Sequence, residues 1–345
     1  MTTPDQIRSD VMTAADRLLE AAKALSEPVM KDALGNMGPP LDVISGYHAG
    51  FNHADGSPAP GAGGKGMCLA LSLCAAEACG DVPACAVDAA VAVELLHSFS
   101  HLHDDFMDRD RTRRHRPTAW VVYGDALAVL AGDALIGEAF RLVPQEGAAL
   151  LAETLAAMCA GQAMDLSFEK RPVTGPGAVT VAEYLEMAAG KTGALYEGAA
   201  GLGALAAGAD ARTVRNFRTT GAALGLLAQI ADDLNGLVGD PAMMGKPVGS
   251  DLRAGKKTLP LLAALTDSGR GQEELREALS RGCRDSDEAA KAARLISEAG
   301  GTGSAERRAD QELGRAQTAL DQVPMSAEIR EKWNSLATFI RNRKV

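Results

Sequence analysis

Apolar side chains recur every three to four positions over most of the chain, and no stretch sustains alternation at period two. The first spacing lines one face of a helix, whereas the second would mark a half-buried strand. Val11, Ala14, Leu18, Leu19, Ala22 and Leu25 trace such a stripe and predict a helix over 5–35. Residues 36–64 are dense in Gly, Pro, Asn and Asp and read as loop, because each of these breaks a helix for its own steric reason. Helices are predicted at 67–79, 84–108, 118–131, 132–142, 146–170, 180–208 and 211–239, with a turn at Arg116–Pro117. The segment 240–257 is longer than a plain connection needs, which points to function. Helices resume at 258–266, 271–282, 286–299, 303–322 and 326–342. The expected fold class is therefore all-α. No internal repeat suggests a solenoid, and no compositional break divides the chain, so 1–345 reads as a single domain that begins with a helix and loop over 1–42.

Composition sharpens this picture in three places. Aromatic residues make up only 4% while Ala, Leu and Gly abound, which suits close-packed helices better than sheets. The net charge of −10 opposes binding to nucleic acid, and no basic patch is long enough to reverse it. The six cysteines form no CxxC and read as buried thiols in a reducing cytoplasm. No apolar run approaching a membrane span and no signal-peptide core are expected, so a cytoplasmic protein is anticipated.

The chemistry concentrates in "HLHDDFMDRDRTRRHRPT", residues 101–118. Asp104 and Asp108 are one helical turn apart on one face, with Asp105 beside them. Carboxylates near a helix C-terminus oppose the helix dipole, so they call for a counter-charge. Hard oxygen donors at this spacing suit magnesium, which keeps several waters and shares itself with substrate phosphates. A second pair, Asp232 and Asp233, follows Gln229 in another predicted helix, and a helical bundle could set both pairs around one metal–phosphate group. Arg113, Arg114, Lys65, Lys191 with Thr192, Lys246, Lys256 and Lys257 supply cations suited to phosphate. "AGKT" is not a P-loop, because Leu185 stands where its first Gly should be and no strand precedes it. His97, His101 and His103 read as pocket-lining residues rather than as a transition-metal site.

These residues match a family. "DDFMD", "RRHRPT", "QIADDLNGLVGD", "GQAMDLSFE", Lys191–Thr192, the Lys246/Asp251/Lys256 loop and "FIRNRKV" together resemble the trans-prenyl diphosphate synthases, from about residue 43 onward. The resemblance implies a helical bundle around a deep central cavity, usually homodimeric, that acts on prenyl diphosphates with three magnesium ions. It implies metal carboxylates at Asp104, Asp105, Asp108, Asp232 and Asp233, with Asp104, Asp108 and Asp232 at the usual ligand positions. It implies that Arg113, Lys191 and Lys256 grip the allylic diphosphate, that Lys65, His97 and Arg114 hold isopentenyl diphosphate, and that Phe99 floors the cavity at a C15 to C20 product.

Two positions depart from the family pattern. Its GGKxxRP motif reads "GGKGMCLA", so Cys68 replaces the arginine that grips isopentenyl diphosphate. One lost charge-assisted contact costs about 1.5–3 kcal/mol. Gly236 replaces the last aspartate of the second motif. The ionising half is thus more complete than the acceptor half. Elongation is the leading reading; cyclisation or transfer to an unusual acceptor, and a non-catalytic partner subunit, are the alternatives.

Overall fold

The computed structural model describes residues 4–59, 64–238, 249–266, 272–283 and 285–342. Helices dominate, as expected: α1 (Pro4–Asn36), α2 (Leu41–Ala49), α3 (Met67–Ala78), α4 (Ala84–Met107), α5 (Ala119–Tyr123), α6 (Asp125–Leu142), α7 (Gln145–Glu169), α8 (Val181–Ala188), α9 (Ala194–Ala206) and α10 (Ala211–Val238). The remainder is α11 (Ser250–Arg253), α12 (Leu259–Thr266), α13 (Gln272–Arg281), α14 (Ser286–Glu298), α15 (Gly301–Leu320) and α16 (Ala327–Asn342). Among the described residues the sheet content is one hairpin, β1 (Thr112–Arg113) and β2 (Arg116–Pro117). The chain forms two compact units, one of residues 1–155, 195–221 and 319–336, the other of 156–194, 222–318 and 337–345.

In the first unit α4 is the central element. Ala89, Ala90, Val91, Ala92, Val93, Leu95 and Leu96 are all at most 1% exposed. Such a helix must be covered all round, and α3 and α6 pack against it. Small residues allow close approach: a Cβ on Gly203 of α9 would sit 1.9 Å from the Ser72 carbonyl oxygen of α3. Phe217 and Trp333 stack with ring centroids 5.4 Å apart and close the core between α10 and α16. In the second unit Leu237, Leu252, Leu261, Leu275, Leu295 and Ile296 form one apolar cluster from α10, α11, α12, α13 and α14. Each such side chain, fully buried, contributes about 1.5–3 kcal/mol.

Five expectations need correction. The loop read over 36–64 contains α2, whose nine residues end at Ala49 and are capped by Gly50, left-handed at φ 86°. Surrounding Gly and Pro hid a helix that buries Ile44, Ser45, Gly46 and Tyr47. The break placed at 131/132 falls at Gly124 instead, where φ is 88°. The turn falls on Arg114–His115, two residues before Arg116–Pro117, and forms the tip of the hairpin. Only Cys68 and Cys74 are buried, although all six thiols are free as expected. Finally, α7 is long and apolar enough by length and composition to cross a membrane, with a third of its apolar window buried. Ala, Leu and Met supply most of that hydropathy. Its Glu153 pairs with Arg218 at 3.1 Å and its Asp165 with Lys191 at 2.6 Å.

Candidate active site

The buried body of α4 dictates which residues its C-terminal end displays. His97, His101, Asp104 and Asp108 lie four, three and four residues apart, within one narrow sector of the helix. Asp108 caps the helix, and its N–H donates to the Asp104 carbonyl at 2.8 Å. The Asp104 and Asp108 side chains are half-buried. Asp105 behaves differently. It is 2% exposed, and Arg113 Nε donates to both its oxygens at 2.8 and 3.0 Å while Nη2 lies 2.8 Å from Oδ1. Burial raises its carboxyl pKa, and Arg113 opposes that shift.

The hairpin that carries Arg113 is riveted down. Thr118 Oγ1 and Trp120 Nε1 both donate to the Asp110 carbonyl at 2.8 Å. Tyr47 of α2 donates its hydroxyl to the Pro117 carbonyl at 2.7 Å, with the Arg116 guanidinium over its ring at 4.2 Å. The tip residues Arg114 and His115 have φ of 51° and 61°. A two-residue hairpin with positive φ at both tip residues normally calls for Asn-Gly. Each non-glycine residue there costs about 1–2 kcal/mol, which the contacts that fix the hairpin must offset to keep Arg114 at its tip. Gly64 makes room for it, since a Cβ at that position would lie 2.7 Å from Arg114 Nη2. This brings the segment of Lys65, itself exposed, beside Arg114.

Tyr47, His48, Asp105, Arg113, Arg114, Arg116, Pro117, Thr118 and Ala119 line the resulting cleft. His97 and His101 rings lie 4.2 Å apart, and those of His48 and His101 6.3 Å. Burial first, then Arg113 and Arg114, drives His48 down to about 3. Burial, His97 and the same arginines push His101 well below its ordinary range. The two imidazoles are therefore neutral at neutral pH, and the arginines leave the cleft suited to an anion. Phe99 is 7% exposed and meets the His103 ring edge-on at 4.7 Å. His103 itself is engaged with the Val129 carbonyl of α6 at 3.0 Å.

The second unit builds its part around α10. Asp233 is 5% exposed and receives the Tyr184 hydroxyl at 2.5 Å, the Leu259 N–H at 2.8 Å and Gln229 Nε2 at 3.1 Å. Burial pushes its carboxyl up to about 7 against those three donors. Asp232, its neighbour, is half-buried. Gln229 Oε1 in turn accepts from Thr192 Oγ1 at 2.7 Å. Thr192 and Lys191 lie in a π-helical turn, Ala189–Gly193, between α8 and α9. Such turns widen a helix by one residue and recur at functional sites. Here the turn nests on Gly161 of α7, whose Cβ would lie 2.2 Å from the Lys191 nitrogen. Lys256 is half-buried, and Lys257 Nζ donates to the Gly255 and Glu169 carbonyls. Lys246 lies outside the described residues.

The loop motif in the sequence marks Asp251, but not its approach to Gly236. A Cβ on Gly236 would lie 2.4 Å from Asp251 Oδ2 of α11. The carboxylate of Asp251 occupies the space that a longer residue 236 would fill, one turn beyond Asp232.

The sequence model of the polyprenyl synthetase family matches residues 59–296. The chain belongs to the polyprenyl synthetase family. It is a trans-prenyltransferase, and the family is magnesium-dependent. A geranylgeranyl diphosphate synthase of Mycobacterium tuberculosis is 40% identical over 321 residues, 90% of either chain. A (2E,6E)-farnesyl diphosphate synthase of Mycobacterium bovis is 42% identical over 275 residues, 77% of this chain and 75% of that one. The crystal structure of a polyprenyl synthetase from Streptomyces coelicolor A3(2) superposes with a TM-score of 0.87 at 40% identity, covering 94% of this chain and 98% of that one.

Proposed function

We propose that the chain ionises an allylic prenyl diphosphate and condenses the resulting cation with isopentenyl diphosphate, giving a trans-prenyl diphosphate of C15 to C20. The observation that carries this reading is the survival of both carboxylate segments in a chain 40% identical to a geranylgeranyl diphosphate synthase. The relatives are named as synthases of linear diphosphates, which favours elongation over cyclisation or a partner-subunit role.

The donor set fits magnesium: half-buried carboxylates at Asp104 and Asp108, one turn apart, and at Asp232. Asp251 stands in for the aspartate that Gly236 replaces. Asp105 and Asp233, read from the sequence as metal ligands, are buried and engaged by protein donors, and here we assign them the role of fixing the neighbouring Asp104 and Asp232. Three magnesium ions held there would neutralise the diphosphate and make it a competent leaving group. Lys191, Thr192, Gln229, Lys246 and Lys256 complete the grip on the allylic diphosphate, with Arg113 bracing Asp105 as it does so. Fixed cations aimed at the departing diphosphate stabilise charge as it develops. Lys65, His97 and Arg114 hold the acceptor. Phe99, in the apolar face of α4, limits the length of the growing chain and keeps water from the cation. The chain acts as one catalytic domain, in a cytoplasmic homodimer.

The test supplies magnesium with dimethylallyl, geranyl or farnesyl diphosphate, each with and without isopentenyl diphosphate. Longer diphosphates should form only with isopentenyl diphosphate and stop at C15 to C20. Cyclic hydrocarbons formed without it would contradict elongation.

A further inference from the structure

Among the described residues, one carboxylate oxygen of Glu94 on α4 has nothing to bind. Its side chain is 12% exposed, and Oε2 is sealed from solvent with no hydrogen-bond partner among those residues. The other oxygen, Oε1, stands 3.5 Å from His97 Nδ1, long for a hydrogen bond. Cys68, in the first turn of α3, is fully buried beside them. Its sulfur, a Glu94 oxygen and a His97 nitrogen all lie within 4.8 Å of one another. An ion pair between Glu94 and His97 would account for one oxygen and leave both the second oxygen and the thiol without purpose.

Zinc is bound tetrahedrally by sulfur at about 2.3 Å and by nitrogen or oxygen at about 2.0–2.2 Å. Neighbouring ligands in such a tetrahedron stand about 3.3–3.7 Å apart by that geometry. The Glu94–His97 edge is already that length, and the sulfur needs to close by no more than about 1 Å to complete the face. We propose that Cys68, Glu94 and His97 form a zinc site. The thiolate selects zinc over magnesium, which takes oxygen ligands. On binding, the Cys68 S–H proton leaves to solvent and the S–Zn bond forms, so thiolate and carboxylate together balance the two charges of the ion. Three protein ligands leave the fourth position open to water or to a phosphate oxygen. The site would set a divalent cation where the family motif has its arginine. Arg114 and Lys23 lie close enough to Glu94 to favour its ionised form.

The experiment uses the full chain, stripped with a chelator, returned to magnesium buffer and titrated with zinc alone against a chromophoric competitor. One zinc per chain is expected. Cobalt in its place should show thiolate-to-metal absorption. Cys68→Ser and Glu94→Gln should each weaken zinc binding by more than about 100-fold, beyond what loss of an outer-shell partner costs. The exposed cysteines serve as controls, and Cys85→Ser with Cys159→Ser should leave the affinity unchanged. Wild-type zinc affinity in Cys68→Ser, or a cobalt complex without the thiolate band, would overturn the site. If Cys68→Ser does not fold, Glu94→Gln and the cobalt spectrum of the wild type decide. Neither readout depends on prenyl transfer, so the zinc site and the proposed reaction fail or stand separately.

Discussion

Replacing Gly161 with Ala tests whether the π-helical turn is held where Lys191 needs it. A Cβ at that position would sit 2.2 Å from the Lys191 nitrogen, 2.6 Å from the Gly190 carbonyl carbon and 2.8 Å from the Lys191 Cα. All three neighbours are backbone, so no side chain can swing aside. Comfortable contact between such atoms needs about 3.5 Å, so α7 and the turn must part by roughly 1 Å. Overpacking of this kind costs about 1–3 kcal/mol, against a gain of at most about 1 kcal/mol from replacing Gly by Ala in a helix. The net expectation is a loss of up to about 2 kcal/mol. The same displacement would stretch the 2.6 Å pair between Lys191 and Asp165 and the 2.7 Å bond between Thr192 and Gln229. Misplacing a substrate-gripping group by about 1 Å can lower kcat by roughly 100-fold. Urea unfolding and steady-state kcat measure the two effects in parallel. Gly314→Ala is the control, because Gly314 of α15 has open space around it and should gain slightly in stability at unchanged kcat. If Gly161→Ala behaved like Gly314→Ala in both assays, the close approach would not be holding the turn.

Two further outcomes follow from particular contacts. Asp251→Ala should raise the magnesium concentration for half-maximal activity by about 10- to 100-fold, and Gly236→Asp in that background should recover most of the loss; an unchanged magnesium requirement in Asp251→Ala would remove Asp251 from the site. Glu183 caps α8 and is held down to about 2, first by Arg171 and then by Thr180. Its folded pKa lies below the unfolded value, so the stability it contributes is full above the ordinary glutamate range and is lost as pH falls toward about 2. Glu183→Gln should therefore flatten the acid limb of a stability–pH curve relative to wild type, and identical acid limbs would show that the pair contributes nothing.

Long helices were legible in the sequence because one signal repeats over many turns: α1, α4, α10 and α16 fall within two residues of their predicted limits. α2 was not legible, because nine residues carry few periods and its flanks are rich in helix breakers. The hairpin tip was hidden for the opposite reason: Arg114 and His115 adopt a conformation that their side chains disfavour and that only the surrounding contacts impose. The π-helical turn leaves no mark, since one inserted residue scarcely disturbs the apolar spacing of 180–208. At the site, the carboxylates, Lys191 and Thr192 could be picked out as residue types. Their division of labour could not. Asp104 and Asp105 are equivalent as letters, and only the Arg113 fork, with the burial of Asp105, tells the half-buried carboxylate from the saturated one. Gly236 read as a loss because Asp251 approaches it from fifteen positions away in the chain.

The proposed function requires both carboxylate segments to act on one diphosphate. A double-mutant cycle on Asp104→Asn and Asp232→Asn, read as single-turnover ionisation of geranyl diphosphate in magnesium, tests it most directly. Each single change should slow ionisation by about 100-fold or more, the scale for losing one group that stabilises developing charge. Groups that work as a unit are strongly non-additive, so the double variant should be little slower than the worse single one. A double variant slowed by the product of the two single effects would show that the segments act independently, and the proposed joint ionisation would be wrong.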